Sequence, residues 1–333
     1  MNAELLLAPE LIAATAPPER RGIKRDAVRL LVTDRDAGAS THHHFFDLPS
    51  LLHAGDLLVV NDSATQPAAL TATRANGDSL PLHVATMIDQ RIWMAEPRGP
   101  VVCGEELQLP SGGSAVMIAP VEPERPRLWY AWFQLPLSMT AFLAAYGQPI
   151  RYGYVTQRFP LGDYQTMFAR EPGSSEMPSA ARPFTPRVVR ALQRSGIEFT
   201  TITLHCGVAS FEQPERPALE RYAVSRETAL AVNTARGEKR RVIAVGSTAL
   251  RALESAARGQ EAVASSGWTD LVIDEHYQIK MVDGLLTGFH DSGATHQSIL
   301  RAFLDSETLR DAYSQAAQDG YFCHEFGDAQ LIL

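Results

Sequence analysis

The sequence predicts a mixed α/β main domain that carries an inserted small antiparallel β-barrel domain. In residues 1–63 and 137–333, apolar runs of strand length alternate with helix-length amphipathic segments, which is the pattern of an α/β domain. Residues 64–136 instead hold short alternating segments broken by Gly, Pro and Asn-Gly, with no helix-length pattern among them. Because α/β segments flank the β-rich stretch on both sides, we expect the barrel to be an insertion in one larger domain.

The composition limits the classes of protein to consider. With 333 residues, of which 45% are hydrophobic and 20% charged, the chain can bury a sizeable core. A formal net charge of -8 argues against a surface that attracts nucleic acid as a whole. Three widely spaced cysteines predict neither a disulfide framework nor a Cys-rich zinc site. Neither a membrane-spanning run nor a signal-peptide pattern occurs, so we expect a cytoplasmic protein without membrane contact.

The first part of the main domain predicts two strands, over residues 29–35 and 56–61, and the second is apolar enough to be buried. Three adjacent histidines at residues 42–44 would alternate between the two faces of a strand, so we expect surface residues there rather than metal ligands. After the barrel, residues 138–147 predict a helix that stops at its glycine.

A long loop rich in Tyr, Gly and Pro follows this helix, and it carries Arg151, Asp163 and Gln165. Long loops in compact domains are often functional, so these three side chains are candidates for a site. The loop region ends where Thr185 and the proline after it predict the N-cap and first residue of the next helix.

The second part of the main domain continues the α/β pattern. Residues 225–236 predict a helix and residues 242–245 a buried strand. Gly246 then ends the strand, and Ser247 or Thr248 is expected to cap the following helix. Further along, we expect a strand over residues 270–273 and a hairpin-like turn at residues 283–284.

Polar residues follow several of the predicted strands, where the sheets of α/β domains bind their ligands. They are His205, the turn Gly246, Ser247 and Thr248, and the segment Thr287-Gly-Phe289-His290. Glu220, just before Tyr222, is a further polar candidate that carries little information by itself. A strand that turns through Gly into a helix points backbone N–H groups at one spot, which suits a carboxylate, a phosphate or ribose hydroxyls. Arg251 lies about one helical turn later and adds a fork of donors. A buried β–α corner with an ordinary cap remains the alternative for this turn.

Three common enzyme signatures do not occur in the sequence. It contains no Gly-x-Gly-x-x-Gly, no Gly-Lys-Ser/Thr phosphate loop and no Gly-x-Ser-x-Gly turn. Composition and spacing therefore favour a ligand site at the strand ends but give no reaction.

The segments above resemble the S-adenosylmethionine:tRNA ribosyltransferase-isomerase family of queuosine biosynthesis over nearly the whole chain. The similar segments include Gly55-Asp-Leu-Leu-Val-Val-Asn-Asp62, Asp163-Tyr-Gln-Thr166, Thr203-Leu-His205, Glu220-x-Tyr222, Ala244-Val-Gly-Ser-Thr248 with Arg251 to Glu254, Phe289-His290 and Phe326-Gly-Asp-Ala329. The architecture of that family, an α/β domain with an inserted β-barrel, agrees with the fold predicted from the patterns.

The resemblance implies a transferase and isomerase that uses S-adenosylmethionine as co-substrate, without a metal. The ribosyl skeleton would be transferred to a 7-aminomethyl-7-deazaguanine in tRNA and rearranged there, with release of adenine and methionine. By resemblance, His205 is the candidate for proton transfer, with Asp163 and Gln165 in the same catalytic group. The substrate-binding candidates are Gly246, Ser247, Thr248, Arg251, Thr166, Glu220, Phe289 and His290.

The chain departs from the family pattern at several polar motif positions. Two arginines are replaced by Ala64 and Ala69, two histidines by Pro183 and Ala218, an asparagine by Gly288 and a lysine by Gly293. These changes remove cations that could contact phosphate or carboxylate, and they weaken the expectation of tRNA as a partner. Two alternatives stay open: a divergent enzyme that uses S-adenosylmethionine or a related nucleoside with a small-molecule acceptor, and a non-catalytic ligand-binding relative.

Overall fold

A computed structural model describes residues 9–208, 218–290 and 295–333 of the chain. Within these residues, a mixed sheet of nine strands with helices on its faces stands beside a closed barrel of six strands. The predicted fold class, a mixed α/β domain with a small antiparallel barrel, is confirmed. None of the helices in this part of the chain is long and apolar enough to cross a membrane.

The strands of the described residues, in chain order, are β1 (Ile12–Ala13), β2 (Arg29–Asp34), β3 (Ala39–His44), β4 (Leu57–Asn61), β5 (Ser63–Thr65), β6 (Ala69–Thr73), β7 (Ser79–Met87), β8 (Ile92–Pro97), β9 (Glu106–Leu109), β10 (Gly113–Pro120), β11 (Trp129–Gln134), β12 (Glu171–Ser174), β13 (Glu198–Leu204), β14 (Glu220–Val224), β15 (Val242–Val245), β16 (Ala257–Arg258), β17 (Glu261–Ala262), β18 (Ser265–Thr269), β19 (Gly284–Gly288), β20 (Phe322–Cys323) and β21 (Ala329–Ile332). The helices are α1 (Leu48–Leu51), α2 (Met139–Tyr146), α3 (Pro186–Arg194), α4 (Arg226–Gly237), α5 (Ser247–Ser255), α6 (Thr295–Leu300) and α7 (Ser306–Gln318).

The large sheet has the strand order β18-β14-β13-β4-β15-β19-β21-β2-β3. Its central strands β13, β4, β15 and β19 run parallel to one another. Strands β4 and β15 are buried along their whole length, because apolar clusters cover both faces of the sheet. Parallel strands end at one common edge, so the chain leaves these four strands on the same side of the sheet.

The barrel closes in the order β10-β11-β8-β7-β6-β9, within residues 69–134. Alternate side chains of its strands, such as Leu80 and Leu82 of β7, point inward and form a separate apolar core. The two chain segments that enter and leave it are paired, because the backbone N–H groups of Ala69 and Gln148 each donate to the other residue's carbonyl at 2.9 Å. The domain boundaries at residues 63–64 and 136–137 stay a prediction.

Several local predictions are confirmed by side-chain caps. Ser138, Thr185 and Ser225 each accept a hydrogen bond from the backbone N–H three residues later, at the starts of α2, α3 and α4.

Two local predictions are wrong. The strand expected over residues 270–273 is a loop. The strand at this edge of the sheet is β18, which ends at Thr269, and the carbonyl of Leu271 accepts a hydrogen bond from Arg251 Nε at 3.0 Å. The turn at residues 283–284 is not a hairpin, since Gly284 begins β19, which pairs in parallel with β15.

Asn61 joins three chain segments at the carboxyl edge of the sheet. Its side chain is fully buried at the end of β4. Oδ1 accepts hydrogen bonds from the backbone N–H groups of Leu204 and Ser63, both at 3.0 Å. Nδ2 donates to the Leu204 carbonyl at 2.8 Å and to Thr248 Oγ1 at 3.2 Å. One amide therefore fixes the ends of β4 and β13 and the start of α5 relative to one another.

We expect Asn61→Ala to lower the free energy of unfolding by about 3 kcal/mol, because buried backbone groups of Leu204 and Ser63 lose their partner. Urea unfolding followed by circular dichroism measures the effect. The matched control is Asn76→Ala, since Asn76 makes its side-chain hydrogen bonds to Asp78 in an exposed turn of the barrel. Its effect is expected to stay below about 1 kcal/mol. Equal losses in the two variants would contradict the role given to Asn61.

Candidate functional site

A cavity of about 190 Å³ lies at the carboxyl edge of the large sheet. Three segments that follow parallel strands line it: residues 206–208 after β13, residues 246–248 after β15, and Thr287 with Gly288 at the end of β19. Pro149, Ile150 and Tyr152, which follow the barrel, and residues 175–180 close it from other sides. The cavity therefore lies at the edge of the sheet where α/β domains commonly bind ligands, and ligand binding there stays a prediction.

The turn at Gly246 shapes one wall of the cavity. Its φ of 91° and ψ of 153° form a backbone conformation that residues with a side chain avoid, and an added Cβ would lie 3.2 Å from the Cβ of Ala180. Gly246 itself is the N-cap of α5, so the prediction that Ser247 or Thr248 caps the helix is wrong. Because the chain bends one residue earlier, both hydroxyl residues belong to the first helical turn and line the cavity.

The start of α5 brings hydrogen-bond donors to this wall. The backbone N–H of Leu250 donates to the Gly246 carbonyl at 3.2 Å, which is the first hydrogen bond of the helix's own ladder. The N–H groups of residues 247–249 precede it and have no partner within the helix, as in any first turn. These groups carry the positive end of the helix dipole, so this wall favours a carboxylate or other oxygen-rich group.

Glu220 and Arg251 line the cavity as an ion pair. Arg251 is buried, and its Nη1 donates to Glu220 Oε2, while its Nε and Nη2 face the carbonyls of Leu271 and Thr269 at 3.0 and 3.5 Å. Glu220 Oε1 accepts the backbone N–H of Gly207 at 2.9 Å. The guanidinium of Arg251, which was predicted to bind a ligand, therefore donates mainly to groups of the protein. The ion pair of Arg251 and Glu220 fixes the cavity segment at Gly207. Contact between Arg251 and a ligand stays a prediction.

His205 does not line the cavity. It follows Leu204, the last residue of β13, and its ring lies against Gly173, whereas the neighbouring Cys206 does line the cavity. His205 Nδ1 lies 2.8 Å from Ser63 Oγ, which lies 2.6 Å from Ser174 Oγ. Ser174 Oγ in turn accepts the backbone N–H of Cys206 at 2.9 Å. The histidine is thus connected to the cavity wall through two buried hydroxyls.

The side chains of His205, Ser63 and Ser174 form one hydrogen-bonded chain. A hydroxyl can donate one hydrogen and accept two, so the chain can run in either direction between the ring and Ser174. The pKa of the ring favours its neutral form. Burial lowers the pKa of His205, and the positive charge of Arg221 lowers it further against the raising effects of Asp62 and Glu171.

Gln165 does not line the cavity but is hydrogen-bonded to a residue that does. Its side-chain amide pairs twice with the backbone of Thr65, accepting from the N–H at 3.0 Å and donating to the carbonyl at 2.7 Å. Thr65 lines the cavity, so Gln165 acts on the site through that residue.

Three other predicted residues lie outside the cavity lining. Asp163 forms an ion pair with Arg20 at 3.2 Å, and Thr166 Oγ1 accepts the backbone N–H of Phe168 at 3.3 Å. Phe289 is fully buried in the core, where it packs edge-to-face on Tyr313 with ring centroids 5.3 Å apart. Its neighbour His290 does line the cavity.

A group of aromatic and acidic residues in the cavity wall was missed by the sequence analysis. The rings of Tyr154 and His324 stack with centroids 4.4 Å apart and an interplanar angle of 13°, and Tyr152 stacks on Tyr154 at 6.0 Å and 16°. Tyr152 donates its hydroxyl to Glu176, and Tyr154 donates to Glu325. Burial raises the pKa of Glu325. Tyr152 and Tyr154 lie in a turn closed by the hydrogen bond from the Val155 N–H to the Tyr152 carbonyl at 3.0 Å, so no strand-like alternation in the sequence reveals the stack.

The departures from the family pattern fall both inside and outside the cavity. Ala218 and Gly288 line it, whereas Ala64, Ala69 and Pro183 do not, and Gly293 lies outside the described residues. Two positions where the resemblance leads one to expect a histidine and an asparagine therefore present no polar side chain to the cavity. In the part of the chain that the structure describes, no group of three or more His, Cys, Asp or Glu side chains could hold a metal ion.

Comparisons with known proteins agree with the resemblance seen in the sequence. A family model described as "Queuosine biosynthesis protein" matches residues 4–332. An S-adenosylmethionine:tRNA ribosyltransferase-isomerase from Moorella thermoacetica is 37% identical over 322 residues, which cover 93% of this chain and 94% of the relative. The protein of the same name from Thermus thermophilus is 36% identical over 338 residues, covering 95% and 97%.

A solved structure shows the same architecture. It is the crystal structure of S-adenosylmethionine tRNA ribosyltransferase from Thermotoga maritima, with a TM-score of 0.57 and 29% sequence identity over 98% of this chain and 99% of that one. Sequence and fold agree over nearly the full length, so the predicted resemblance is confirmed. The chain belongs to the queuosine biosynthesis protein family, together with relatives named S-adenosylmethionine:tRNA ribosyltransferase-isomerase.

Proposed function

We propose that this chain transfers the ribosyl skeleton of S-adenosylmethionine to 7-aminomethyl-7-deazaguanine in tRNA and isomerises it, with release of adenine and methionine. The names of its full-length relatives support this activity. The observation that carries it is the position of the best-preserved motif, residues 244–248. Its last three residues form the wall of the cavity at the carboxyl edge of the sheet.

The groups on S-adenosylmethionine match this wall. The first-turn N–H groups of α5, with the hydroxyls of Ser247 and Thr248, would bind the methionine carboxylate or the ribose oxygens. Glu220 and Arg251 would keep Gly207 in place beside the bound nucleoside, because the ion pair holds the backbone of that residue.

The reaction also requires proton transfers. The sulfonium makes the neighbouring ribose C5′–H acidic, so a base must remove that proton, and the departing adenine must be stabilised. Candidates among the titratable side chains that line the cavity include His290, His324, Glu176 and Glu325.

The catalytic roles expected for His205, Asp163 and Gln165 remain predictions. The contacts of two of them favour a positioning role, because His205 reaches Cys206 through Ser63 and Ser174, and Gln165 holds the backbone of Thr65. Both act on residues that line the cavity rather than on the cavity itself.

We expect adenine to be released from S-adenosylmethionine only when the tRNA carries 7-aminomethyl-7-deazaguanine, with one adenine per modified nucleoside. Liquid chromatography of adenine and mass spectrometry of the digested tRNA measure the two products, and the same tRNA with guanine at that position is the control. Release that ignores the tRNA would point instead to a small-molecule acceptor. Neither release nor binding at about millimolar ligand would point to a non-catalytic relative.

The variant His205→Ala separates positioning from acid–base catalysis. A positioning role predicts that adenine release slows by about tenfold or less, with an unchanged pH profile, since only the support of Cys206 is lost. Loss of a general acid or base costs about a hundredfold or more and removes a limb of the pH profile. The control is His276→Ala, because His276 is exposed and is not among the residues that line the cavity. A loss of the larger size would restore the acid–base role.

The lowered pKa of His205 also predicts a pH dependence of stability. As the pH falls below about 6.5, the unfolded chain protonates this histidine while the folded chain resists it, so the folded state loses stability. The stability advantage of the wild type over His205→Ala should therefore be larger at about pH 7.5 than at about pH 5. Urea unfolding at both pH values tests this. An advantage that grows toward acid pH would contradict the neutral ring.

A further inference from the structure

Helix α3 carries three arginines on one side. Arg187, Arg190 and Arg194 follow one another at spacings of three and four residues, which places them on the same side of a helix. All three are exposed, whereas Val188 and Leu192 are buried in the apolar cluster that covers the sheet. The three arginines extend over about 10 Å of the helix. The helix contains no Asp or Glu, so its exposed side is positively charged.

Two of these arginines have no partner among the residues that the structure describes. Arg190 and Arg194 form no hydrogen bond, ion pair or ring contact there, and neither does Lys24, which is also exposed. Arg187 donates from Nε to Asp26 at 3.1 Å, which brings the segment of Lys24 next to the start of α3. We call Lys24, Arg187, Arg190 and Arg194 the basic face. Three of its four cations are available to an external anion.

The carboxylates beside the basic face do not cancel its charge. Residues 18–29 contain two acidic residues, Glu19 and Asp26. Glu19 pairs with Arg25 at 2.6 Å and with Arg182 at 3.0 Å, and Asp26 pairs with Arg187. Both carboxylates are therefore compensated by other arginines, and the unpaired cations remain in excess.

Aromatic rings lie among these cations. Phe46 is 39% exposed, and its ring stacks on that of His44 with centroids 5.0 Å apart and an interplanar angle of 2°. The guanidinium of Arg187 lies 5.5 Å from the centre of the Phe46 ring. Exposed rings interleaved with cations are typical of surfaces that bind RNA, where the cations meet phosphates and rings stack with bases. The combination favours RNA over an acidic protein.

The basic face connects with the cavity. A smaller pocket adjoins the cavity, and the two share Ser179, Ala180, Thr287, Gly288, His324 and Glu325. Arg25 and Arg182 line the other part of this pocket. Arg25 directly follows Lys24, and Thr185 at the start of α3 donates to Asp26 at 2.8 Å. The basic face therefore begins beside the cavity and continues along α3.

We propose that the basic face binds the phosphate backbone of the tRNA whose modified base enters the cavity. This inference rests on the proposed function, which supplies tRNA as the partner. Because the chain as a whole has a net charge of -8, a polyanion is held where cations are locally in excess. The phosphate contacts then come from α3 and from the segment before β2, rather than from the motif positions occupied by Ala64 and Ala69.

Fluorescence anisotropy with labelled tRNA tests the basic face in the variant Arg190→Gln/Arg194→Gln. Gln has a helix propensity similar to that of Arg, so α3 is expected to stay folded. We expect tRNA to bind about tenfold more weakly at about 50 mM salt. The slope of log K against log salt should fall in magnitude by about 1.5, because each lost phosphate contact removes about 0.7 to 0.9. In adenine release, the KM for tRNA should rise with kcat unchanged at saturating tRNA.

The matched control is Arg226→Gln/Arg236→Gln, which removes two arginines from α4 on the other side of the sheet. It should keep the affinity and the salt slope of the wild type. The variant Lys24→Gln tests the segment before β2 independently and should lower the slope by about 1. Circular dichroism checks the folding of all variants. Calorimetry should give each an affinity for S-adenosylmethionine within about twofold of the wild type, since none of these residues lines the cavity.

Unchanged tRNA affinity and salt slope in Arg190→Gln/Arg194→Gln would overturn the basic face. A loss no larger than that of the control, or a wild type that does not bind tRNA, would do the same. Adenine release by the wild type reports separately on the proposed function. Adenine release with unchanged tRNA binding in the variants would leave the function standing and remove the surface. Weakened tRNA binding in the variants, without adenine release by the wild type, would leave the surface standing and remove the function.

Discussion

The buried amide of Asn61 is the contact on which the geometry of the cavity depends. It binds the backbone at the end of β13 and the first turn of α5 from the end of β4. Backbone groups buried this deeply must be paired, so the strand ends can meet around one space only while this side chain satisfies them. The ion pair of Glu220 and Arg251 and the hydroxyl of Ser174 then fix the same segment from two further directions.

The cavity that results has walls of unlike chemistry. The first turn of α5 offers donors, whereas Glu176 and Glu325 bring carboxyl groups to another part of the lining. No basic side chain comes from the positions of Ala218 and Gly288, where the family pattern is polar.

Much of this fold was predictable because its signals are local. The buried runs of β4 and β15, the caps at Ser138, Thr185 and Ser225, and the barrel with its short strands all follow from nearby residues. The turn at Gly246 does form part of the cavity wall, but the residue that caps α5 was mispredicted. The cap depends on the φ of 91° at Gly246, and residue types alone do not reveal that angle. His205 lies behind the cavity wall, and the sequence could not show this because alternation along a strand does not say which face holds the cavity. The stacked rings of Tyr154 and His324 escaped notice since His324 lies far along the chain from Tyr154 and only the fold brings the two rings together.

The paired crossings at Ala69 and Gln148 bear on the order in which the chain folds. Every barrel strand pairs with a partner inside residues 69–134. Strand β4, in contrast, pairs with β13 and β15, which follow it by more than a hundred residues in the sequence and are synthesised later. Local pairings form faster than distant ones, so the barrel condenses while the sheet is still incomplete. Once its two ends are joined, the chain between β4 and β13 is effectively shortened, and the entropy lost in closing the large sheet is smaller. The insertion thus assists the assembly of the domain that it interrupts.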